Sequence, residues 1–140
     1  MHGRLGKLGV NSKLRARFDR ILENVLAQLP ETVRRLLDEV PLHVEDYPSP
    51  TTMKETGTQS RDELCGLFSG VPLTQRGSEG PQSLPDLVTI YREGILAEAT
   101  DDEGHVSVKT LQEEIRKTIL HELAHYHGLE EDELWKLGYG

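Results

Sequence analysis

The sequence predicts one α+β domain: a small mixed sheet of three to four short strands with helices packed on one face. Three observations carry that expectation. Apolar residues recur at helical spacing at both ends of the chain, as Leu14, Phe18, Ile21, Leu22 and Val25 near the start and Leu111, Ile115, Ile119 and Leu123 near the end. Between them lie short stretches that alternate at period two, with Leu42 and Val44 set against His43 and Glu45, and Leu87, Thr89 and Tyr91 against Val88, Ile90 and Arg92. At 140 residues, the chain is one domain's worth.

Residues 1–11 read as a disordered or frayed tail and residues 12–140 as a single domain, because the Gly-rich start carries no pattern. A first helix is expected from Ser12 to Leu29, stopped by Pro30, which can itself open a shorter helix burying Val33, Leu36 and Leu37. Val40 to Asp46 is the first strand, and His43 on it reads as an exposed strand residue. Residues 47–60, with Pro48, Pro50 and Gly57 and no periodicity, read as a long loop. Ser60-Arg61-Asp62-Glu63 fits a capping box. Phe68 to Thr74 reads as a strand suited to an edge by Gly70 and Pro72, and residues 76–85 as a second loop. Leu87 to Arg92 is the strongest strand, ended by Glu93-Gly94. A helical turn over Ile95–Ala99 and a polar connector at Asp101–Gly104 follow. The last helix is placed at about 108–127: Thr110 to Glu113 fits a capping box, Ser107 offers an earlier start, and Gly128 suits the left-handed residue that ends a helix.

The net charge of −8 is uneven. Residues 1–35 carry 8 Lys/Arg against 3 Asp/Glu, and residues 36–140 carry 8 against 21. Such an acidic body disfavours nucleic acid as a substrate. The basic N-terminal residues Lys13, Arg15, Arg17 and Arg20 interleave with apolar ones as the solvated side of an amphipathic helix. No apolar run reaches the length of a membrane span, and the N-terminus lacks the apolar region of a signal peptide, so a cytoplasmic monomer without membrane attachment is expected. Cys65 is the lone cysteine, which excludes an intrachain disulfide and a Cys-based metal site.

The last helix carries the chemistry. His121-Glu122-Leu123-Ala124-His125 sets two imidazoles one turn apart on one face, the separation that lets them share a zinc ion. Glu122, beside the first histidine, reaches a metal-activated water rather than the metal, the place of a general base in a zinc peptidase. A shuffled chain of this composition would hold roughly 0.03 such matches, and about 0.003 with glycine also at position 128. His127 projects away from the pair and is excluded as a ligand.

A catalytic zinc usually has three protein ligands and one open position. After Gly128 turns the chain, Glu131, ten positions beyond His121, is the candidate third ligand, with Asp132 its competitor. Acidic residues at 130–133 also suit the first turn of a helix leading into Leu134, Trp135 and Leu137.

HELAHYHGLEEDEL, preceded by DLVTIYREGIL, FSGVPLTQRG and LPETVRRLLDEVPLHVED, resembles the small bacterial minimal-zincin family of zincin-like metallopeptidases over residues 12–138. The resemblance implies a compact zincin-like sheet, a zinc site from His121 and His125, catalytic Glu122, and a third ligand at the position of Glu131, where the family more often has Asp or Ser. It implies a peptide or unfolded protein as substrate. A metal-binding module without turnover, acting by protein interaction, is the competing reading, and a metal-dependent ribonuclease on a similar frame is weakened by the acidic body and by Glu122. Tyr91 and Arg92 are weighed as oxyanion partners and read better as strand residues.

Overall fold

A computed structural model describes residues 10–70 and 86–127. Most of the N-terminal tail, residues 71–74 of the second expected strand, the 76–85 loop, Gly128 and the acidic segment after it lie outside the described residues.

Helix α1 (Ser12–Gln28) starts where Asn11 accepts the Leu14 N–H through its side chain at 2.9 Å, and it buries Phe18, Ile21, Leu22 and Val25. It ends before Pro30, which opens α2 (Glu31–Glu39), burying Val33 and Leu36. Strand β1 (Leu42–Glu45) keeps its alternation, with His43 exposed and paired to Glu45 at 2.8 Å. The stretch read as a loop over 47–60 contains a helix, α3 (Pro50–Thr56). Ser49 caps it by accepting the Thr52 N–H, Pro50 fills its first turn, and Gly57 ends it at φ +72°. Five polar residues and one methionine between those signals show no apolar stripe, which is why periodicity missed it.

A 3₁₀ turn at Arg61–Glu63 carries the expected capping box from Ser60. Strand β2 (Gly66–Ser69) begins two residues before the expected Phe68, and β3 (Leu87–Tyr91) follows the expected span to within a residue. The strand ends one residue sooner than expected, and Glu93-Gly94, expected to separate it from a helical turn at Ile95–Ala99, lies inside α4 (Arg92–Ala99), which starts directly from β3. Helix α5 (Val108–His127) starts at the earlier of its two candidate positions, with the Ser107 hydroxyl accepting the Thr110 N–H at 3.0 Å.

The sheet order is β1-β3-β2, with β1 parallel and β2 antiparallel to the central β3. Register aligns Leu42 with Val88 and Phe68, and Val44 with Ile90 and Gly66, so these residues share one face. That face meets the core built by α1, α2, α4 and α5 around Phe18, Ile95, Leu111, Ile115, Ile119 and Leu123. This is the expected α+β architecture, with three strands among the described residues. No described helix is long and apolar enough to cross a membrane.

Candidate metal centre

Helix α5 buries Leu111, Ile115, Ile119 and Leu123 at intervals of four, which fixes its rotation against the core. That rotation sets His121 and His125 at the edge of the buried stripe. Their ring centroids lie 4.6 Å apart, with the planes at 62°. The His125 side chain is 52% exposed, whereas Glu122 retains only 6% of its surface. Ligand atoms of His121, Glu122 and His125 all lie within 4.8 Å of one another, and Glu122 Oε1 is 3.3 Å from His125 Nδ1.

The donor set fits zinc. Two imidazoles with a carboxylate alongside suit a borderline cation and not calcium or magnesium, which ask for oxygen ligands throughout. Cys65 is not in the cluster, and burial pushes its thiol up to about 11. The sequence-predicted residues His121, Glu122 and His125 therefore come together, while Glu131 and Asp132 lie outside the described residues, as does the side chain of His127.

Burial pushes the Glu122 carboxyl above the usual carboxylate range. The nearby His125 and His121 rings, a hydrogen bond from the Phe68 backbone N–H and another from His125 pull the other way. Phe68 lies on β2, so one carboxylate is held between the helix and the strand beside it. Gly66, two residues earlier on the same face, packs against Thr118 and Glu122. Sequence reasoning gave neither β2 residue a part in holding Glu122. A glycine inside a short strand pattern, which often marks close approach of another backbone or side chain, was the available signal.

Of the two residues weighed as oxyanion partners, Arg92 is committed elsewhere. Arg92 donates to Asp19 at 2.9 and 3.0 Å and to Asp46 at 2.9 Å, tying α4 to α1 and to the end of β1. Tyr91 is buried at the end of β3, and burial holds its hydroxyl above the usual phenol range.

A search of curated proteins found no significant match. A family description reading "Zincin-like metallopeptidase" matches residues 37–140, which include both histidines, Glu122, the whole sheet and the tail after the motif. With a match over about three quarters of its length and a His-Glu-His cluster on a buried helix, the chain belongs to the zincin-like metallopeptidase family.

Proposed function

We propose that the protein is a zinc-dependent peptidase in which His121 and His125 hold the metal, Glu131 completes the protein ligands and Glu122 is the general base. The observation that carries the reading is the geometry of Glu122: a buried carboxylate next to two imidazoles, fixed from the strand side by the Phe68 amide. Bound there, zinc supplies Lewis-acid chemistry, acidifying water and polarising a carbonyl. The chain's own contribution is the base. A Glu122 carboxylate oxygen takes the proton of the attacking water and delivers it to the departing amine nitrogen. Its raised proton affinity suits the first half of that task, since it accepts a proton more readily than an exposed glutamate does.

An extended peptide or an unfolded protein segment is the substrate this arrangement suits. Strand β2 is an edge of the sheet, and no described strand pairs with its outer side. The Tyr91 N–H donates to the Cys65 carbonyl, and the Val88 N–H turns away to Pro41 on the β1 side. With that alternation, Gly66 and Phe68 stand opposite Ile90 and Val88 in pairs whose backbone groups are directed outward. Apart from the Phe68 N–H, which Glu122 takes, those groups are the ones to which a substrate strand adds by backbone pairing.

The test is Glu122→Gln beside the parent protein. Zinc content is expected to be unchanged, and hydrolysis of an unstructured protein is expected to fall by about 10²-fold or more. Equal cleavage by the two would remove the enzymatic assignment, and a parent that binds zinc without cleaving would leave a metal-binding interaction module.

A further inference from the structure

Gly66 is buried where β2 crosses α5, and its backbone does not need a glycine: the positive φ angles among described glycines are at Gly57, Gly70 and Gly104. What it needs is space. A Cβ at this position would sit 2.7 Å from Thr118 Cγ2, 3.2 Å from Glu122 Cγ and 3.2 Å from the Thr89 carbonyl oxygen. Two of these three neighbours are fixed. The Thr89 carbonyl belongs to the central strand, and buried Thr118 is anchored by its hydroxyl, which donates to the Glu114 carbonyl at 2.8 Å. The third is the stem of Glu122. Two residues along the same face, the Phe68 amide holds the Glu122 carboxylate while the Phe68 ring packs on Tyr126 at 5.7 Å between centroids. Any push at Gly66 must therefore lift the strand from the helix or displace Glu122, and either movement parts the amide from the carboxylate.

We propose that Gly66 is a positioning residue for Glu122: its missing side chain lets the edge strand lie close enough to the metal helix for the Phe68 amide to orient the base. The same edge thus aligns both the substrate and the base that activates the attacking water. This rests on the peptidase reading for its kinetic consequence but not for its geometric one, so two measurements separate them.

The first compares Gly66→Ala and the double variant Gly66→Ala/Thr118→Ser with the parent, all zinc-loaded, on a labelled unstructured casein. Gly66→Ala should keep its zinc and its KM within about threefold while kcat drops about 10- to 100-fold, the cost of misplacing a reacting group by a fraction of its length. Removing the Thr118 methyl, the nearest obstacle, should return at least about a tenfold share of that loss. An unchanged kcat in Gly66→Ala, or a loss that Thr118→Ser leaves untouched, overturns the proposal. The second measurement follows the Phe68 backbone amide by ¹⁵N NMR. Glu122→Gln should shift it clearly in the parent background and little in the Gly66→Ala background. Equal shifts in both overturn the positioning role even in a protein that cleaves nothing, whereas unequal shifts in an inactive protein uphold it and defeat only the peptidase reading.

Discussion

At Glu122 two needs oppose each other: a base must be reachable by water, and it must be held still. The helix meets the first by setting Glu122 beside the half-exposed His125, and β2 meets the second through the Phe68 amide. The motif half of this site is written in five consecutive residues. The strand half is not, because Gly66 and Phe68 are more than 50 positions away in sequence and act through a missing side chain and a backbone N–H, which no residue-type pattern records. The third ligand is a prediction at the same scale. Glu131→Ala is expected to weaken zinc binding about 10- to 100-fold, measured by competition with a chromogenic chelator. Unchanged affinity in Glu131→Ala together with a loss in Asp132→Ala would move the role to Asp132.

At the scale of elements, end signals decided where the sequence was legible. Helix α5 matched its expected span because a long apolar period and Ser107 agree, whereas α3 rests on Ser49, Pro50 and Gly57 with no apolar stripe to announce it. Glu93-Gly94 looked like a break for the opposite reason: both residues are there for partners distant in sequence. Glu93 is fully buried and takes a two-point ion pair from Arg61, whose guanidinium also lies 3.4 Å over the Tyr47 ring. A Cβ on Gly94 would sit 2.1 Å from the Leu64 carbonyl, so α4 presses against the residues leading into β2. Removing Arg61 strands a charge inside the protein. Arg61→Ala is expected to cost about 2–4 kcal/mol, the buried-pair penalty reduced because Arg61 itself is 38% exposed. Urea denaturation measures it, and a loss under about 0.5 kcal/mol would show that the pair contributes nothing beyond surface screening.

For the whole molecule, α1 is joined to the rest by apolar packing and by one charge network. Phe18, Ile21, Leu22 and Val25 enter the shared core with α5, although α1 precedes the residues the family description matches. A fragment beginning at residue 37 is therefore expected to lose cooperative melting by circular dichroism despite retaining every matched residue; a fragment melting within a few degrees of the full chain would refute this. In the network, Arg15 reaches Asp46 at 2.6 Å and Arg92 bridges Asp46 and Asp19. The Arg15 hydrogen bond, aided by Arg92, holds the Asp46 carboxyl below the usual carboxylate range. Its stabilisation is thus complete above the unfolded value of about 3.9 and lost as pH falls through the lower native value. Asp46→Asn is expected to lower stability at pH 7 by about 1–2 kcal/mol and to flatten the decline below about pH 4, as read from denaturation at a series of pH values. An unaltered acid slope would place the sensitivity elsewhere. These ties were only half legible: periodicity showed α1 to be amphipathic, but not which of its cations would find acidic partners.

The strand order has a consequence for how the chain reaches this state. Leu42–Glu45 and Gly66–Ser69 are made first, yet they do not touch each other; each waits for Leu87–Tyr91, which arrives third and lies between them. During synthesis both earlier strands are without a neighbour until that segment leaves the ribosome, and the helix that seals them emerges later still. Refolding should accordingly run in milliseconds to seconds, the pace of distant pairings, and not in the microseconds open to a bundle of local helices.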